Sequence, residues 1–226
     1  MTALRHVRCA MGLATLLAAC SSTPPPPDWQ MNAKGSMERA VAAYLQGNTR
    51  LEALEFARAR ADVARTGKLE LLARIELMRC AARVASLVFE DCPGFAALAQ
   101  DASAMDRAYA DYLAGKALPQ DAALLPAQHR DLAAGKTSAD AVSTIADPMA
   151  KLVAAGVLLR SGRAQPAMFA VAADTASAQG WSRPLLAWLN VQVQRAEAAG
   201  EGAEAARLRR RIAVVLEAAP PKPASP

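Results

Sequence analysis

The feature that most limits this chain is a recurring stop. Gly47, Gly67, Gly115, Gly135, Gly162, Gly180 and Gly200 each follow a stretch of helical periodicity, where a residue free to take positive φ ends a helix. Gly94 is the exception. Between the stops, alanine supplies about a quarter of the 226 residues, a bias toward the strongest helix former. Aromatic residues are only 4%, which disfavours an all-β fold. Start signals match the stops: Thr49 with Glu52 reads as a capping box, Asp147-Pro148 as an N-cap followed by proline, and Ser182 precedes Pro184. These signals predict helices over 36–46, 49–66, 68–89, 95–114, 120–134, 138–145, 148–161, 165–179, 183–199 and 203–218.

Within the second of these, Leu51, Leu54, Ala57, Ala61 and Ala64 recur at three and four residue spacing and predict a buried stripe, with Glu52, Glu55, Arg58, Arg60 and Arg65 toward solvent. The 68–89 segment is apolar around more of its circumference, through Leu72, Ile75, Leu77, Val84 and Phe89, and is expected in mid-core. Short turns between helices imply antiparallel hairpins forming an all-α bundle or short solenoid. Gly162 precedes Ala167 by five residues, as Gly200 precedes Ala205; Gly47 precedes Ala53 by six, with Tyr44 and Phe56 on either side. This resembles the middle of tetratricopeptide (TPR) repeats, where a glycine closes one helix and a small residue admits the next. The resemblance spans about 100 residues, and the Gly115 and Gly135 segments do not keep it. Unrelated helical hairpins are the alternative.

The amino end has a different character. Arg5, His6 and Arg8 precede an apolar run from Ala10 to Ala19, too short to span a bilayer and typical of an export signal. The run closes on Leu17-Ala18-Ala19-Cys20. These four residues resemble the lipobox of bacterial lipoproteins. That resemblance implies cleavage before Cys20, a membrane anchor through lipid on Cys20, and, with Ser21 rather than aspartate next, the periplasmic face of the outer membrane. An ordinary cleaved signal or a buried N-terminal helix is the alternative. The expected organisation is a signal peptide over 1–19, a lipidated and proline-rich tether over 20–33, an all-α domain over 34–218, and a disordered tail over 219–226. Trp29 and Met31 would either lie at the membrane surface or dock on the domain.

With Cys9 removed and Cys20 lipidated, Cys80 and Cys92 remain, in an oxidising compartment if the export reading holds. They can pair if the helix stops near Val88 and Pro93-Gly94 turn the chain back. A structural disulfide is expected; two free buried thiols are the alternative.

The inventory for chemistry is small. His129, flanked by Arg130 and Asp131, is expected on a surface helix, and no metal, phosphate-loop, dinucleotide or nucleophile-elbow motif occurs, so neither cofactor nor metal is expected. Glu70, Glu76, Glu90 and Asp91 could form a carboxylate pair for wall cleavage, but same-helix pairs of Glu70 with Arg74 and Glu76 with Arg79 or Arg83 explain most of them. The net charge of +5, two of it in the expected signal, is too mild for nucleic acid. Two features could bind a partner. Arg207, Arg209, Arg210 and Arg211 form a basic cluster that could meet anionic lipid, an acidic wall polymer or a protein, or simply be solvated. Trp181 and Trp188 could anchor a ligand or pack in the core. The resulting expectation is a membrane-anchored scaffold that binds another envelope protein, with a carboxylate-dependent wall-modifying enzyme or a small-ligand carrier as alternatives.

Overall fold

The computed structural model describes residues 25–218; the expected signal, Cys20 and the 219–226 tail lie outside them. The described chain is all-helical: α1 (Asp28–Leu45), α2 (Thr49–Ala64), α3 (Leu69–Ala85), α4 (Pro93–Ala96), α5 (Ala104–Leu113), a 3-10 turn (Pro119–Leu124), α6 (Ala127–Ala133), α7 (Ala139–Ser143), α8 (Pro148–Arg160), α9 (Pro166–Ala178), α10 (Ser182–Ala198) and α11 (Gly202–Glu217).

The glycine stops act as their chemistry requires. Gly162 (φ 71) and Gly200 (φ 74) take the left-handed conformation, and the next amides, of Arg163 and Glu201, donate back to Leu158 and Ala196 carbonyls at 2.8 Å. Asp147 caps α8 as expected, accepting from the Ala150 amide. The α2 cap is displaced by one residue: Asn48 accepts from the Leu51 amide, and Thr49 begins the helix. Trp181, not Ser182, holds the N-cap position of α10.

Four boundaries depart from expectation. α1 begins at Asp28, so the helical body includes residues assigned above to the tether; Trp29 packs beside Ala33 and Met37, while Met31 stays exposed. α3 ends at Ala85, where Leu87 adopts φ 60 and the Val88 amide closes onto Arg83. The 95–114 segment divides into α4 and α5 because Ser103 caps a new start, accepting from the Asp106 amide. The 120–134 segment breaks before Pro126, which holds Leu125 extended at ψ 157.

The buried stripe of α2 is Glu52, Glu55, Phe56, Ala59 and Val63. It lies on roughly the opposite face of the helix from the expected one, at about 100° per residue: Leu51, Leu54, Ala57, Ala61 and Ala64 are all exposed. Leu54 is 48% exposed, whereas Glu55 is 3% exposed. The inward carboxylates meet arginines: Arg39 of α1 holds Glu55 together with Arg58 of α2 itself, and Arg79 of α3 donates to Glu52 at 2.8 Å while lying over the Phe56 ring. Arg60 pairs with Glu76, and Arg74 reaches Asp106 of α5 with two hydrogen bonds of 3.2 Å. The expected same-helix pairs are thus replaced by ties between helices, because a desolvated carboxylate requires a partner wherever one is nearest.

Packing is not restricted to chain neighbours. α3 crosses α8 at Gly156, where an added Cβ would lie 2.4 Å from the Val84 carbonyl oxygen. The Trp188 indole of α10 donates to the Ala85 carbonyl at the end of α3, satisfying an otherwise orphaned acceptor. At the start of α10, Ser182 donates to the Gln46 carbonyl, while Arg183 donates to the Tyr44 carbonyl at 2.7 Å and to the Thr49 hydroxyl at 2.9 Å. Two antiparallel hairpins, α8–α9 and α10–α11, lie where the glycine spacing recurs. Of the expected small packing positions, Ala205 is buried but Ala53 and Ala167 are exposed. Among the described residues, no helix is long and apolar enough to cross a membrane.

Candidate functional site

Cys80 and Cys92 form the expected disulfide, with Cα atoms 5.8 Å apart. Cys92 (φ 47) initiates α4, and Leu87 supplies the reversal between them. Positive φ at two non-glycine residues costs of order 1 kcal/mol each, maintained here by the covalent link and the surrounding packing.

Trp188 is fully buried (0% exposed), with its ring 6.2 Å from that of Phe169. It is a core residue. Trp181 is half-buried before α10 and packs on the edge of the core, so the two tryptophans do not form a shared binding face.

His129 is not on the surface. It is 1% exposed, and its Nδ1 lies 3.2 Å from the Tyr112 hydroxyl, with the Tyr109 ring 6.0 Å away. Burial pushes its pKa down to about 4, against a smaller opposing influence of Asp147. Burial likewise raises the pKa of both tyrosines. A neutral imidazole enclosed by two phenols fits a packed polar cluster of the interior, and sequence spacing alone did not bring these three residues together.

Three of the four candidate carboxylates are occupied by arginines; Glu70 is exposed and does not pair with Arg74, which turns to Asp106. Glu76 accepts from Arg60, Glu90 from Arg83 and Asp91 from Arg160. Glu55 illustrates the balance: burial opposes ionisation, but hydrogen bonds and charge from Arg39 and Arg58 outweigh it and hold the carboxyl below the usual range. Among the described residues, no group of three or more histidine, cysteine, aspartate or glutamate side chains could hold a metal ion.

The arginine cluster separates into two directions. Arg209 turns to Glu197 of α10. Arg207, Arg210 and Arg211 instead line a groove with Val214, three and four residue steps along one face of α11. The groove has a volume of about 390 Å³, and Leu185, Leu189 and Val215 complete its apolar wall, with Ser177 of α9 at its edge. Arg207 makes two hydrogen bonds to Glu204, of 2.7 and 2.6 Å, which lower the glutamate pKa and raise that of the arginine. Arg211 stands 3.9 Å from Asp174, a loose pair, and Arg210 has no carboxylate partner among the described residues. Val214 is 65% exposed. Cationic groups beside exposed apolar surface are suited to recognition of an anionic amphiphile or peptide rather than to bond making.

Comparison of the chain with protein-family models, with curated proteins and with solved structures found no match, so the reading of the groove rests on its own chemistry.

Proposed function

We propose that the protein is a lipid-anchored lipoprotein on the periplasmic side of the outer membrane, where it acts as a non-catalytic protein-binding or assembly scaffold. The observation that carries this reading is the apolar run closing on Leu17-Ala18-Ala19-Cys20, followed by Ser21-Ser22-Thr23 and four prolines that lead toward the helical body. Lipid on Cys20 places the chain at a membrane, stably if two or more acyl chains are attached. The Cys80–Cys92 bridge supports an oxidising compartment. An all-helical body whose buried carboxylates, Glu52, Glu55, Glu76 and Asp106, serve as counter-ions between helices supports binding over catalysis.

The test is purification of the native protein from detergent-solubilised envelopes, with Cys20→Ala as control. Fatty-acid labelling that depends on Cys20, together with a stoichiometric envelope partner, is the expected result. Labelling and membrane fractionation unchanged by Cys20→Ala would refute the anchor. Recovery of the lipidated chain alone would refute the scaffold.

A further inference from the structure

The α11 groove narrows the kind of partner this scaffold holds. Arg207, Arg210, Arg211 and Val214 follow the i, i+3, i+4, i+7 pattern along about 10 Å of helix, the footprint of two turns of a second helix laid alongside. The charge on this stripe is not neutralised internally: Glu204 answers Arg207, Asp174 reaches Arg211 only at 3.9 Å, and Arg210 has no carboxylate partner among the described residues. Below the guanidinium groups, Leu185, Val214 and Val215 present apolar wall.

Position distinguishes a protein occupant from a lipid surface. The tether joins the body at the Asp28 end of α1, an 18-residue helix about 27 Å long at 1.5 Å per residue. The start of α10 is bound to the opposite end of α1, through Arg183 to Tyr44 and Ser182 to Gln46. Leu185, one turn into α10, lines the groove. The groove therefore lies about a helix length from the point where an anchored tether enters.

We infer that this groove docks an acidic amphipathic helix of a partner protein, with partner carboxylates on Arg210 and Arg211 and partner apolar side chains over Val214, Val215 and Leu185. This inference rests on the scaffold reading and specifies its surface.

The test uses the full-length lipidated chain in neutral detergent and a dye-labelled helical peptide with one leucine face flanked by glutamates, against the same peptide with lysines. The glutamate peptide binds at least about tenfold tighter, and Arg210→Glu weakens it by about tenfold or more. Val214→Asp weakens it too, and both variants keep the parent melting temperature. Equal binding of the two peptides, or no effect of Arg210→Glu, overturns the inference. So does binding of anionic phospholipid, added to the detergent, that requires Arg210 while the peptide does not bind; that outcome assigns the groove to a lipid surface. Arg210-dependent self-association without peptide binding overturns it in favour of a second copy. A native partner that co-purifies equally with the parent and Arg210→Glu overturns the groove assignment but leaves the scaffold standing. Absence of any partner on the parent chain defeats the scaffold itself.

Discussion

Acidification should destabilise this protein through one side chain, His129. Its ring is buried against Tyr112 and titrates in the folded state at about 4, because burial disfavours the imidazolium more than Asp147 favours it. In the unfolded chain a histidine titrates near 6.5. The folded pKa is the lower one, so the unfolded state binds the proton first as the pH falls. The contribution is fully present above about 6.5 and is lost progressively down to about 4. Taking the difference in protonation free energy between pH 7.5 and 5 gives a loss of about 2 kcal/mol. For a domain of this size that corresponds to a melting temperature lower by about 4–8 °C. The assay is urea or thermal unfolding of the parent and His129→Gln at half-unit steps from pH 7.5 to 4.5. The variant has a lower stability at neutral pH but a flatter dependence on pH over this range. Carboxylates held by arginines, such as Glu55, protonate in both proteins and cancel in the comparison. Parallel pH profiles for parent and variant between pH 7 and 5 would refute the reasoning, since they would mean that His129 titrates equally in both states.

Three further outcomes are expected. Reduction of Cys80–Cys92, or Cys92→Ser, lowers stability by about 3 kcal/mol for a loop of this length, and identical melts with and without reductant would contradict the bridge. Gly156→Ala forces α3 and α8 apart at the Val84 carbonyl and costs about 1–3 kcal/mol or more; an unchanged or higher melting temperature would show that the helices do not cross so closely. Leu54→Ser stays within about 0.5 kcal/mol because the side chain is largely exposed, whereas Glu55→Ala is the more damaging change, leaving Arg39 and Arg58 without their shared counter-ion. The reverse order in chemical denaturation would restore the leucine stripe to the core.

What was legible in the sequence was local. Gly162 and Gly200 end helices because positive φ is a property of the residue itself, and Asp147-Pro148 starts one for a similarly local reason. The Cys80–Cys92 bridge was legible, but the turn behind it was not: Pro93 and Gly94 begin α4 rather than turning the chain back, and the reversal falls at Leu87, with φ 60. The orientation of α2 was not legible. A stripe of leucine and alanine has the same period as a stripe on the opposite face, and Glu52 and Glu55 face inward because Arg79 and Arg39 approach from α3 and α1. His129 was misplaced for the same reason: the enclosing phenols arrive from α5. Pro126, by contrast, was a signal in plain sight for the break in the 120–134 segment. At the candidate site, the basic composition was visible, but not that Arg209 would turn away from Arg207, Arg210 and Arg211.

The contact between Arg183 and the end of α1 has a mechanical consequence. A tug on the segment preceding Asp28 travels down α1 and meets Arg183, which is 139 residues further along the chain than Tyr44. The load is therefore shared at once with the carboxy-terminal hairpin, rather than peeling helices away one after another. If the body is suspended from its amino end as proposed, α10 is the far support of the suspension, and drag on a partner docked on α11 would reach the anchor without first unravelling the middle of the chain.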